Sequence, residues 1–269
     1  MIASLLHAFF ENIYLVVIGK LFPPAELGNF TLARDIQRVS STMLPRVVGR
    51  VAFPVFSKLQ DDPVKMKRGV NKALTVLASI HFPVMLALVV VTRPMILLVL
   101  TARWELCISY LQLLCLVGLM YPLHLINLQV LQAMGKSDLF LRLEFIKKGL
   151  IIINIIITYR WGVTIMISGQ IVVSLMSYWL NAYFNRRLID YSIVEQIQDL
   201  YPYMLAAILM ALLMHGVSYL PISSNFLLLV CQLGTGTVSY MILCRLLHLS
   251  VYKEIKKIVT TGKLSQDGI

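Results

Sequence analysis

The chain has 269 residues, 58% of them hydrophobic and only 14% charged, with a formal net charge of +11 and a mean hydropathy of +0.79. A soluble domain carries about 25% charged residues, so an ordinary soluble domain is excluded. The apolar runs of about 18–25 residues suit membrane-crossing helices, not the shorter alternating strands of a β-barrel. On such a chain the basic excess reports the positive-inside bias and contact with anionic headgroups; no nucleic-acid motif accompanies it.

The first apolar run, residues 1–22, has no basic leader and no A-x-A site, so it reads as a span and not a signal peptide. Glu11 and Asn12 lie in its middle, where a carboxylate must be protonated, paired or wet. Pro23 and Pro24 end it, and residues 26–38 read as a polar connection. A second span then runs from about Val39 to Ser57, with Arg46 and Arg50 inside it. A mid-bilayer Arg costs roughly 2.5–3.5 kcal/mol on insertion scales and by default marks a functional site. Four residues apart, the two share a helix face. A pair of planar guanidiniums suits a phosphate or diphosphate, which each can grip with two hydrogen bonds. The competing reading is that they snorkel to an interface or pair with carboxylates elsewhere. Pro45 and Pro54 predict a kinked or broken helix here.

Residues 58–72 read as a solvated basic loop, followed by a span over residues 73–91 with Pro83 inside and a turn over residues 92–105. Residues 106–134 form a long span that Pro122 should bend. Within it His124 and Asn127 are three apart and share a face. A histidine there could carry a proton in a coupled transporter, or simply satisfy a neighbour's backbone. Residues 135–148 read as a second basic loop, with Ser137 and Asp138 as caps for a helix ending at Thr158. After a turn at 159–162 comes a span over 163–184 whose small residues (Ser168, Gly169, Ser174, Ser177) permit close helix contact. An amphipathic connector, residues 185–199, leads to two final spans, 200–219 and 226–247. The tail from Ser250 is polar and basic.

This is an all-α, polytopic helical membrane protein with about eight spans. An even number places both termini on one side, and the cytoplasm is the side that fits. Of the 24 Lys and Arg, sixteen then fall on the cytoplasmic side, six outside, and Arg46 and Arg50 in the membrane. No P-loop, H-E-x-x-H, G-x-S-x-G or Cys/His metal spacing occurs. The Asp61–Asp62 doublet reads as loop, and the four cysteines as small core residues, so neither a metal nor a cofactor is expected. What remains is cationic and amide groups in proline-interrupted spans, a pattern suited to binding and moving an anionic substrate.

The segments IGKLFPPAELGNF, RVAFPVFSKLQDDPVKMKRGVNKAL, LQLLCLVGLMYPLHLINLQVLQAMGKSDLFLRLEFIKK and LNAYFNRRLIDYS resemble the Wzx-type polysaccharide flippases, and within them the subgroup handling colanic-acid-like and teichuronic-acid-like repeats. These belong to the superfamily of the MATE exporters and the lipid II flippase. The resemblance implies two pseudosymmetric six-helix bundles, often with two further helices, in a protein about twice this length. It implies an inner-membrane transporter, not an enzyme, that flips an undecaprenyl-diphosphate-linked oligosaccharide through a cationic cavity under an ion gradient. This chain aligns with the second bundle (residues 1–190), two extra helices (191–249) and a cytoplasmic tail (250–269). A missing first bundle or a second copy would complete the cavity. Arg46 and Arg50 are the diphosphate candidates, with Arg34 and Arg38 at the mouth. Glu11, Asn12, His124 and Asn127 are candidates for polar lining or ion coupling. The rival readings are a drug or metabolite exporter of the same superfamily, a membrane enzyme, and a non-transporting remnant or partner subunit.

Overall fold

The computed structural model describes residues 2–247, with the side chains of residues 2–9, 11 and 102 outside the description. The basic tail therefore lies outside the described residues. Those described form helices and short turns, with no strand among them: α1 (Ile2–Leu21), α2 (Pro24–Lys58), α3 (Pro63–Val99), α4 (Glu105–Gly118), α5 (Tyr121–Ala133), α6 (Ser137–Thr158), α7 (Val163–Ile189), α8 (Ile193–Gly216) and α9 (Asn225–Leu246). α4 and α5 together make one interrupted span, so each expected span corresponds to a helix or a helix pair. Five of these segments, α3, α4–α5, α7, α8 and α9, are long and apolar enough to cross a membrane. The chain is an all-α, multi-pass membrane protein. α2 has the length, 35 residues, but its four interior arginines lower its hydropathy. α6 carries Asp138, Arg142, Glu144, Lys147 and Lys148 before its apolar stretch.

Several stretches expected as connections are helical. Residues 26–38 belong to α2, which starts with Pro24 in its first turn, where the missing N–H costs nothing. Residues 63–72 are the first turns of α3. Asp62 caps them by accepting from the Lys65 N–H at 3.0 Å, and Met66, Val70 and Leu74 bury the inner face. That hydrogen bond and the Lys65 ammonium hold the Asp62 carboxyl below the usual carboxylate range. α3 also runs on through Pro94 to Val99, and α6 begins directly at Ser137, with no side-chain cap from Ser137 or Asp138. Between α7 and α8 only residues 190–192 are non-helical, because Ser192 and Glu195 form a reciprocal capping box.

The helix is interrupted at residues 119–120, just before Pro122, and the polar cost of the prolines is met from neighbouring helices. Pro122 cannot donate to the carbonyl of Gly118 four residues back. His81 of α3 donates to that carbonyl from Nε2 at 2.9 Å. Pro83 likewise frees the Ser79 carbonyl, which accepts from the Tyr240 hydroxyl of α9 at 2.5 Å. α2, by contrast, stays a single helix through Pro45 and Pro54.

Two core clusters occupy the two ends of the bundle. One joins Leu59, Met66, Ala133, Ile189, Tyr191 and Leu200, around the connections 59–62, 134–136 and 190–192. The other joins Ile18, Phe30, Ile96, Cys107, Ile155 and Val163, around the connections at the far end. Lipid tails are as apolar as leucine, so close packing and polar contacts hold such helices together. Gly169 shows the first of these: a Cβ there would sit 1.8 Å from Asn154 Oδ1 of α6. α3 is central, packing on α2, α4, α5, α8 and α9.

Candidate functional site

Arg46 and Arg50 project from the C-terminal half of α2, both exposed, and line a cavity of about 450 Å³. α2 supplies one wall with Gly49, Phe53 and Pro54; α5 supplies the other with Leu125, Gln129 and Gln132. The α5 residues recur every three or four positions and so form one stripe. Gly49 lets the helices meet, since a Cβ there would lie 2.6 Å from Gln129 Nε2 and 3.2 Å from Leu125. Among the described residues neither Arg46 nor Arg50 has an ion-pair or side-chain hydrogen-bond partner, so the alternative of a carboxylate pair does not hold for them. Gln129 Oε1 is buried with no partner among the described residues. Gln129 and Gln132 carry the signal that charge alone misses: amides on the stripe of α5 that faces the two arginines.

Arg34 and Arg38 are not part of this cavity. An ideal helix turns about 100° per residue, so Arg34 lies about 120° around α2 and about 18 Å along it from Arg46. Arg34 is mostly buried, with 19% of its side chain exposed, and lies 3.6 Å from Asp35. Its Nη1 donates to Asn12 Oδ1 at 3.1 Å. Asn12 thus ties α1 to α2 and is not free lining. Arg38 is exposed one turn on. The side chain of Glu11 lies outside the described residues.

His124 and Asn127 share α5 but enter separate environments. Asn127 is fully buried, donating to Gln196 Oε1 at 3.2 Å and accepting from Asn185 Nδ2 at 2.7 Å. It joins α5, α7 and α8 instead of lining a cavity. His124 is half-buried; Asn181 Nδ2 lies 3.3 Å from its Nδ1, and Ser174 Oγ lies 3.1 Å from its Nε2. Both ring nitrogens thus lie within hydrogen-bonding distance of side chains of α7. His124 borders a second cavity, of about 280 Å³, with Glu144, Lys147 and Lys148. Glu144 and Lys147 pair there.

Chemically, the α2–α5 cavity offers two fixed positive charges, two amides and apolar walls. Its lining includes no carboxylate, thiol, hydroxyl or imidazole, and the described residues contain no cluster of three metal-ligating side chains. Such a site can hold an anion; its lining supplies no group for cleaving one.

Residues 1–109 match a family described as polysaccharide biosynthesis protein. Over part of its length the chain is similar to named polysaccharide biosynthesis proteins. It is 30% identical over 182 residues to the lipopolysaccharide biosynthesis protein WzxC of Escherichia coli K12, covering 66% of this chain and 37% of that one. It is 30% identical over 137 residues to the teichuronic acid biosynthesis protein TuaB of Bacillus subtilis 168, covering 51% and 28%. An uncharacterized membrane protein in the cps region of Klebsiella pneumoniae is 27% identical over 144 residues, covering 54% and 30%. The chain spans about a third of the length of the curated relatives it matches. No solved structure matches it. All four candidate arginines lie inside the matched residues 1–109; His124 and Asn127 lie beyond them.

Proposed function

We propose that this chain forms the diphosphate-binding part of a transporter that moves lipid-linked oligosaccharide across the inner membrane for surface polysaccharide synthesis. The observation that carries the reading is the pair Arg46 and Arg50, one helical turn apart on a cavity wall and without a side-chain partner among the described residues. Two guanidiniums at that spacing can grip the two phosphates of a prenyl diphosphate, and Gln129 and Gln132 can add neutral hydrogen bonds. In this reading the chain is a carrier, which moves its cargo without breaking a bond in it. The names of the relatives, lipopolysaccharide and teichuronic acid biosynthesis proteins, support a polysaccharide precursor as cargo.

The termini lie in the cytoplasm in this reading, because that places most Lys and Arg on the cytoplasmic side. A second bundle, from another chain or a second copy, closes the cavity. Val39, Met43, Arg46 and Arg50 form one exposed stripe on α2, at 57% and 67% exposure for the first two, and such a stripe suits a covering helix bundle.

The test is binding of undecaprenyl diphosphate by the purified chain in lipid nanodiscs. Charge-assisted hydrogen bonds are worth about 1.5–3 kcal/mol each, so R46A/R50A should weaken binding at least about 10-fold per guanidinium with helicity intact. In cells the same double variant, made in the full-length protein, should lose surface polysaccharide. Wild-type affinity and wild-type polysaccharide in R46A/R50A would sink the assignment.

A further inference from the structure

The second cavity, of about 280 Å³, lies between Phe10 of α1, His124 of α5, Ser177 of α7 and a polar face of α6. Glu144, Lys147, Lys148 and Ile151 recur at i, i+3, i+4 and i+7, so α6 turns one continuous stripe toward it. The stripe is deep in the membrane. Ser177 is in the middle of α7, a 27-residue helix long and apolar enough to cross the bilayer. α6 runs alongside α7 from the turn at 159–162, and Lys148 lies about 15 Å from its Thr158 end. Leu125, next in sequence to His124, borders the arginine cavity. The two cavities therefore open on adjacent sides of one turn of α5, about 100° apart.

Charge within the stripe is only partly answered. Lys147 pairs with Glu144, and both are largely buried, at 14% and 25% side-chain exposure. Lys148, half-buried, has no carboxylate partner among the described residues; its ammonium lies 5.3 Å from the centre of the Phe10 ring. A ring face offsets only part of what an ammonium loses on leaving water, so Lys148 has charge to spare for an anionic ligand. The lining also differs in kind from that of the arginine cavity, which contains no carboxylate. A diphosphate, which only accepts hydrogen bonds, is repelled by Glu144. A sugar ring fits: its hydroxyls can donate to Glu144 and exchange hydrogen bonds with Ser177, and an acidic substituent can meet Lys148. The volume is at the low end of small-ligand sites, which limits the occupant to about one ring.

We propose that this cavity holds one sugar ring of the cargo, and that Lys148 selects a ring bearing a carboxylate, as in a uronic acid. The inference rests on the reading of the cargo as a diphosphate-linked oligosaccharide. With the diphosphate at Arg46 and Arg50, the saccharide continues into the cavity one step further round α5. Lys147 and Glu144 offset each other, so the single ammonium of Lys148 carries the preference for an acidic sugar over a neutral one. A neutral ring fills the same space and leaves Lys148 unpaired.

The experiment measures binding of three probes to the full chain in phosphatidylcholine nanodiscs: undecaprenyl diphosphate alone, and the same lipid bearing one glucose or one glucuronic acid. The glucuronic acid form should bind about 10-fold more tightly than the glucose form, the size of one charge-assisted hydrogen bond. K148Q should remove that ratio, bringing the acidic form down to the glucose level with glucose affinity and helicity by circular dichroism unchanged. K148R should keep the ratio. S177L, which fills the cavity from α7, should bring both sugar forms down to the affinity of undecaprenyl diphosphate alone. R46A/R50A should weaken all three probes alike and preserve the ratio. Failure of the diphosphate reading would thus show as unchanged affinities in R46A/R50A, apart from the ratio. Equal affinity of the wild type for the two sugar forms would overturn the proposal, as would a preference that survives K148Q. Weaker binding of undecaprenyl diphosphate alone by K148Q would overturn it too, by moving Lys148 to the diphosphate.

Discussion

Two polar regions meet α5 from roughly opposite sides, and they answer the membrane in opposite ways. On one side Gln129 and Gln132 face Arg46 and Arg50 across a cavity, where neither the arginines nor the Gln129 carbonyl has a side-chain partner among the described residues. On the other side Asn127, Asn185, Gln196 and Tyr178 bond one another. Asn185 donates to Asn127, while Asn127 and Tyr178 both donate to the Gln196 carbonyl oxygen, each at 3.2 Å. In that cluster only Asn185 Oδ1 lacks a partner. An unmet polar group in hydrocarbon is expensive, so the amide cluster acts as a clamp among α5, α7 and α8. In the function proposed above, the arginines are left open to a ligand that comes and goes. Polarity within a span is therefore not by itself a mark of a ligand site; the mark is polarity that the chain leaves unanswered.

That contrast can be broken by mutation. The largest stability effect is expected for N127L, which strips partners from both Asn185 and Gln196. It should cost about 1–3 kcal/mol, seen as a lower thermal unfolding midpoint in detergent, with diphosphate affinity within about twofold of wild type. If N127L weakened binding as much as R46A/R50A, the two regions would be one site. Q129A tests the cavity side. It should weaken undecaprenyl diphosphate binding by about 3–10-fold, the size of one neutral hydrogen bond, and leave the unfolding midpoint in place. A drop in the midpoint with unchanged affinity would move Gln129 to the structural class. The smallest effect is expected at Arg38, exposed and outside the cavity. R38A should change stability by less than about 0.5 kcal/mol and leave diphosphate affinity unaltered. A clear loss of affinity would extend the site along α2.

Much of the architecture was legible because the signals are local. The interruption before Pro122 follows from a missing N–H, and the close packing at Gly169 from a missing Cβ. Helix boundaries were less legible. Charged stretches such as residues 26–38 and 63–72 read as loops on hydropathy, yet they are helical, since Pro24, Asp62 and Pro63 set helix starts that charge does not oppose. The clustering of Arg34 and Arg38 with Arg46 and Arg50 did not survive the geometry, because 12 residues of helix carry a side chain about a third of a turn away.

The sequence by itself determined the membrane class, the helical fold, the kinship with polysaccharide proteins and the presence of two arginines on one helical face. The kinship rests on the resemblance of long segments to a known family; the others rest on composition, periodicity and spacing within a single element. Only the tertiary structure decided which polar groups are spent on the protein itself. Asn127 finds Asn185 and Gln196 at sequence separations of 58 and 69 residues, and Arg34 finds Asn12 across a turn. Arg46 and Arg50 find no side-chain partner among the described residues. Such pairings depend on which helix faces pack together, and no local pattern of residues encodes that choice.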